Sequence, residues 1–201
     1  MKIGQKGIDL IAEFEGRRNQ LYYCPGGYPT IGIGHKLRNE EIKSGFIQIG
    51  AESVYYKNGL TDQQIEDLLR QDVKTYEDAV NSLVRVPLNQ NQFDALVSFT
   101  FNLGVGNLAD STLLRVLNGS KYDSVPDQLR KWVYAGGKRL RGLVRRREAE
   151  IELWNEPMDS VSELVKESSR IEESLKDIIL SKVRLIQDVA TEIEDLLDQN
   201  H

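Results

Sequence analysis

The chain has 201 residues but only one cysteine, two histidines, two methionines and five prolines. A single thiol excludes an internal disulfide framework, so the fold rests on packing and is compatible with a reducing compartment. His35 and His201 are the only histidines and Cys24 has no second cysteine beside it, so no metal and no cofactor are expected. Long apolar runs are missing too. No segment nears the roughly 18 apolar residues that a membrane span needs, so stable membrane insertion is not expected. The start, "MKIGQKGIDLIAEFEG", is broken by Asp9, Glu13 and Glu15, and no signal peptide is expected. "GIG" and "GVG" lack the rest of any dinucleotide or phosphate-loop pattern and read as close backbone turns.

What is present is a hydrophobic fraction of 40%, enough for one core or two small lobes and too high for a disordered chain. The net charge of −5 is unevenly spread. Residues 158–201 carry 11 acids and 5 bases, net −6, while the rest carries 20 acids and 21 bases, net +1. Residues 115–147 hold ten Lys or Arg against Asp123 and Asp127 alone. This basic stretch lacks the interleaved aromatics of a single-strand binder, so no nucleic-acid partner is expected.

Periodicity predicts a protein dominated by helices with a small β element. Residues 4–16 form an apolar stripe at Ile8, Ile11, Ala12 and Phe14, with Gly16 as a stop and Glu15 in the last turn. From 20 to 35 the pattern alternates around "CPGGYPT", which predicts a hairpin from Leu21–Tyr23 to Thr30–Ile33. Thr61 with Gln64 is a capping-box signature, and Ile65, Leu68, Leu69, Val73 and Tyr76 recur at helical spacing up to Pro87. Further helices are predicted over 89–101, from Ser111 to Gly119, over "VPDQLRKWVYAGG" and over "LVRRREAEIELWN", with "NLGVGN" as a turn. Trp132 and Trp154 are expected in the core. From 160 to 199 there is no Gly or Pro, and Leu164, Ile171, Leu175, Ile178, Leu185, Val189, Ile193 and Leu196 recur every three or four residues. Ser168 and Lys182 interrupt that seam, so a coiled-coil dimer, a segment folded back on the rest and a partner-binding helix all stay open.

The acid at the end of the first helix and the polar hairpin after it bring Glu15, Cys24 and Thr30 toward one cleft. Cleavage of a glycosidic bond needs a carboxyl held protonated near neutral pH and, on the opposite face of the sugar, a nucleophile or positioned water. By composition alone Glu13 and Glu15 read as surface acids and Cys24 as a small core residue.

The spacing Glu15, eight residues, Cys24, five residues, Thr30, set in "EFEG…YPTIGIGH", closely resembles the catalytic motif of the phage lysozymes, endolysins of glycoside hydrolase family 24. "LTDQQIEDLLRQDV", "PLNQNQFDALVSFTFNLGVGNLADSTLLRVLN" and "WVYAGGKRLRGLVRRREAEIELW" are similar to that family's later segments in order, so the resemblance covers about 4–156. It implies a lysozyme-like α+β fold, with a catalytic domain over 1–157 (β lobe about 17–58, helical lobe about 60–157) and an acidic helical extension over 158–201. It implies hydrolysis of the β-1,4 bond between N-acetylmuramic acid and N-acetylglucosamine, with bacterial peptidoglycan as the partner. The enzyme would wait in the host cytoplasm for holin-dependent release.

By position, Glu15 would be the general acid, Cys24 would stand where many members have Asp, and Thr30 would lie near the attacking water. An unperturbed thiol is only a few per cent ionised at pH 7, so its pKa would have to be lowered, and the run Arg145, Arg146, Arg147 supplies candidate charges for this and for orienting Glu15. Thiolate, nucleophile and water-holder stay open for Cys24. Asn102 and His35 are assigned to substrate binding, Asn102 with a helix C-cap as the alternative and His35 as a hydrogen-bonding group rather than a base. Two other classes compete: a non-catalytic wall-binding protein and a nucleic-acid binder. Self-association through 160–199 is a further expectation.

Overall fold

The computed structural model describes residues 1–24, 26–157, 172–176 and 178–183. Two units emerge, Met1–Glu156 and Pro157–His201. In the second, residues 172–176 and 178–183 are helical, with Leu175, Ile178, Ile179, Leu180 and Val183 exposed. The heptad positions at Leu164, Ile171, Leu185, Val189, Ile193 and Leu196 lie outside the described residues, and so does the expected coiled coil.

The first unit is α+β and mostly helical. Helix α1 (Gln5–Glu15) begins on Gly4, which gives it no side-chain cap. The missing acceptor comes from a distant helix, α4 (Gln90–Leu103), whose Asp94 accepts the Gly4 and Gly7 N–H groups at 2.9 and 3.3 Å. A carboxylate there also complements the positive end of the helix dipole. Ile8, Leu10 and Ile11 are buried, and the helix stops at Gly16, which leaves Glu15 as its last residue.

Strands β1 (Arg18–Tyr23), β2 (Pro29–Gly32) and β3 (His35–Lys36) form an antiparallel sheet with β2 in the middle. Tyr22 pairs with Thr30, and Thr30 pairs with Lys36, so these three residues lie side by side on one face. Helix α2 (Asn39–Ser44) and the hairpin of β4 (Phe46–Ile49) and β5 (Glu52–Tyr55) complete the small lobe.

Helix α3 (Asp62–Leu83) carries the expected capping box: Gln64 N–H donates to Thr61 Oγ1 at 3.2 Å, and Thr61 N–H to Gln64 Oε1 at 2.9 Å. Its apolar stripe, Ile65, Leu68, Leu69, Val73 and Val80, is buried. Helix α4 is wrapped by α1, α3 and α8 (Arg141–Asn155), so Phe93, Leu96, Val97 and Phe99 are almost fully buried. Each such side chain contributes about 1.5–3 kcal/mol of transfer free energy. Trp154 joins this core and Trp132 packs edge-on against Phe99, ring centroids 5.6 Å apart.

Two expected elements differ. "VPDQLRKWVYAGG" is not one helix: α7 (Val125–Leu129) is a single turn, and Tyr134–Ala135 and Lys138–Arg139 form a hairpin, β6 and β7. Gly136 and Gly137, at φ +55° and +74°, adopt the left-handed pair that a two-residue hairpin turn demands and a helix forbids. "NLGVGN" is not only a turn either, because Val105–Ala109 form a short helix, α5, before α6 (Thr112–Asn118).

Candidate active site

A cleft of about 610 Å³ opens between the lobes of the first unit, lined among others by Glu15, His35, Lys36, Arg38, Asp72 and Asn102. Glu15 sits at its floor, its side chain 27% exposed. Gly34 turns the chain beside it. Its φ of +76° is a left-handed turn that favours glycine, and a Cβ there would stand in ordinary contact with Glu15 Oε2 at 3.7 Å.

Behind Glu15 stands a buried ionic cluster on α8 and α4. Arg146, its side chain 4% exposed, donates through Nη1 to Glu15 Oε1 at 2.6 Å. Its Nε also reaches Glu150 Oε1 at 3.4 Å, and its Nη2 reaches the Ser98 carbonyl. Glu150 is fully buried and accepts from the Ser98 hydroxyl at 2.9 Å and from Arg147 Nη2 at 2.9 Å. Arg147 Nε and Glu150 Oε2 also lie 2.8 Å apart, but they are not aligned as a hydrogen bond. Burial raises the Glu150 pKa against the opposing charges of Arg147 and Arg146. Burial likewise lowers that of Arg147, whose partner Glu150 opposes the change. Two cations around one buried acid leave Arg146 charge to spare for Glu15.

Of the three arginines, then, Arg146 reaches Glu15. Arg147 instead donates through Nη2 to Asn102 Oδ1 at 3.0 Å, which leaves the Asn102 amide N–H₂ free to face the cleft. Arg145 is at the surface, 3.7 Å from Glu13, and has no contact with Glu15. The helix register decides this, since Arg146 and Arg147 share a face with Ile151 and Trp154 and Arg145 does not.

Cys24 and Thr30 are not among the residues lining the cleft. They belong to the β1–β2 hairpin, where Cys24 N–H donates to the Tyr28 carbonyl at 3.0 Å. Tyr22 connects the two halves: burial raises its pKa first, Arg18 opposes this, and the charges of Cys24 and Glu15 both add to it. The Cys24 thiol is pushed toward its ionised form, but not by the arginine run. Its leading cause is the backbone N–H of Tyr28, opposed by burial and assisted by the N–H of Gly26, Thr30 and the charge of Lys36. The expectation of a guanidinium beside the sulfur is thus corrected: a turn supplies peptide donors locally, whereas α8 spends its guanidinium groups on Glu15, Asn102 and Glu150.

Thr30 is 1% exposed and its hydroxyl donates to the Tyr28 carbonyl at 2.9 Å. The same hydroxyl also favours the ionised thiol, and besides its one proton it has oxygen lone pairs to offer. His35 is not free to bind a ligand through its ring. Nδ1 lies 2.8 Å from Asp72 and Nε2 3.2 Å from Glu41, which also binds Arg38. Burial works against its charge, but the bond and charge of Asp72, with Glu41, outweigh this and raise its pKa. His35 therefore ties three elements of the cleft wall together.

These partners were not singled out from the sequence. Asp72 and Glu41 are far from His35 along the chain or on another element, with no local signal. Glu150 had one, since its spacing of four from Arg146 and three from Arg147 puts all three on one helical face.

The model of the phage lysozyme family matches residues 12–150, and the chain belongs to that family. It is 40% identical over 152 residues to an endolysin of Bacillus phage B103, a match that covers 75% of this chain and 52% of that relative. With an endolysin of Salmonella phage P22 it is 40% identical over 138 residues, covering 68% and 86%. The fold is similar to the muramidase domain of SpmX from Asticaccaulis excentricus, with a TM-score of 0.63, 36% identity and coverage of 78% and 99%. The match thus spans about half the length of the Bacillus phage relative and most of the other two.

Proposed function

We propose that the chain is a muramidase that hydrolyses the β-1,4 bond between N-acetylmuramic acid and N-acetylglucosamine in bacterial peptidoglycan and lyses the host for phage release. The observation that carries this reading is the carboxyl of Glu15, at the floor of a polysaccharide-sized cleft and oriented by Arg146 at 2.6 Å. One oxygen is thereby held, which fixes the orientation of the carboxyl, and the other is left for substrate.

Glu15 donates its proton to the glycosidic oxygen as that bond breaks. Cys24, pushed toward the thiolate, faces the positive charge that develops on the sugar ring and orients the attacking water. Thr30 accepts a hydrogen bond from that water through the lone pairs that its own donation to Tyr28 leaves open. The water adds its oxygen to the anomeric carbon and gives its proton to the Cys24 thiolate, while the leaving oxygen keeps the proton from Glu15, and inversion of configuration follows. Retention would instead assign the sulfur as a nucleophile. Asn102 donates to the sugar from the other wall.

The test is loss of turbidity in a suspension of purified peptidoglycan. Parent chain should clear it and Glu15→Gln should not; wall binding without clearing by the parent would instead support the binding-protein reading. The same reading keeps the enzyme in the host cytoplasm until a holin opens the membrane, and lysis timing with and without a holin gene tests that. It also gives residues 158–201 a separate role in self-association, which sedimentation of the full chain tests directly.

A further inference from the structure

Cys24 is half-buried, and peptide N–H groups alone give its sulfur partial rather than full positive charges to lean on. Lys36 changes this. It stands directly across the strand pair from Thr30, on the same face as Thr30 and Tyr22, and lines the cleft that holds Glu15. A surface lysine ordinarily sweeps through many rotamers, whereas this ammonium lies 5.2 Å over the ring of Tyr28. Tyr28 is 59% exposed, and it is the residue whose carbonyl takes the Cys24 N–H and whose own N–H reaches the sulfur. The ring thus holds the cation beside the loop that carries the thiol.

We propose that Lys36 is a positioning residue of this site: its ammonium, held over Tyr28, is the countercharge of the Cys24 sulfur. The inference rests on the proposed role of Cys24. The other charged and titratable groups around the thiol have their own partners. From β1, Arg18 lies over the Tyr22 ring at 5.6 Å. From α1, Glu15 is engaged by Arg146. On the cleft wall, Arg38 is bound to Glu41. Lys36 is the cation among the influences on Cys24, after the peptide donors and Thr30. A site with Asp at this position would be anionic without help, so a lysine at this place compensates for the weaker acidity of sulfur.

The chain has one cysteine, so alkylation of the native protein by iodoacetamide yields one adduct whose rate reports the thiolate fraction at each pH. Lys36→Met should move the rate profile to higher pH and slow alkylation at pH 7 by about threefold, as loss of one screened charge implies. Lys36→Arg should restore the profile. Clearing of peptidoglycan by Lys36→Met should fall through kcat with KM unchanged. If Lys36→Met fails to fold, Tyr28→Leu should move the profile the same way by a smaller amount. A profile superimposed on the parent's in the folded variant overturns the pairing. A shifted profile with unchanged clearing leaves the pairing intact and overturns the catalytic reading of Cys24 instead.

Discussion

The two halves of the proposed site are held by different physics. The Glu15 half is dry and ionic: Arg146, Arg147 and Glu150 are almost fully buried, and each has lost its hydration and depends on the others. The Cys24 half is wet and built from peptide groups, with one exposed lysine as its charge. A buried cluster fixes a carboxyl in one orientation but tolerates no missing member, because removing one leaves an unpaired charge in low dielectric. A hairpin loop with backbone donors tolerates substitution and lets the side chain at its tip vary chemically, provided the replacement is anionic or polar.

The largest effect should come from breaking the ionic half at its tip. Glu15→Gln keeps the shape and the Arg146 contact but removes the proton, and peptidoglycan clearing should fall about 1,000-fold, the middle of the range for a general acid. Next, Arg146→Met should lower clearing about 100-fold and destabilise the fold by about 3–5 kcal/mol, because Glu150 loses a partner while buried; thermal unfolding and clearing assays read both. Arg146→Lys, which cannot reach Glu15 and Glu150 with one planar fork, should recover stability better than rate.

A smaller effect concerns the wall that joins the halves. The pKa of His35 is raised in the folded chain, so its contribution to stability is complete below its ordinary value near 6.5 and is lost as pH rises through the raised value. That of Glu41 is lowered, mainly by Arg38 and His35 against the opposing effect of burial, so its contribution is present above about 4.5 and is lost as pH falls through the lowered value. The wall should therefore be firmest from about pH 4.5 to 6.5. Unfolding midpoints should drop by about 5 °C on the alkaline side, corresponding to about 2 kcal/mol, and His35→Gln should flatten that dependence. The smallest effect is expected at the surface. Arg145→Ala removes an exposed contact of 3.7 Å to Glu13 and should leave clearing and stability within error of the parent.

Much of this architecture was readable from local pattern. Thr61 and Gln64 announced the start of α3, Gly16 the end of α1, and the alternation around "CPGGYPT" the hairpin that follows, because each depends on residues a few positions apart. What escaped was non-local. Three adjacent arginines look alike in sequence, and only the packed face shared by Arg147, Ile151 and Trp154 turns Arg146 inward toward a carboxyl 131 positions away. The source of the thiol's acidity escaped for another reason. Peptide N–H groups are present at every residue, so a sequence search for charges finds the arginines and passes over the turn. His35 was assigned to substrate binding, but both its ring nitrogens are taken by Asp72 and Glu41, partners that carried no spacing signal at all. The paired glycines at 136 and 137 did carry one, a hairpin turn, which the helix-compatible residues before them masked.

The central claim is that the exposed half works by presenting an anion opposite Glu15, and the most direct measurement is the clearing rate of Cys24→Asp beside Cys24→Ala and Cys24→Ser at pH 7. Aspartate should keep the rate within a few-fold of the parent, while alanine and serine should each lose about 100-fold. Clearing by Cys24→Ala at the parent rate would contradict the claim.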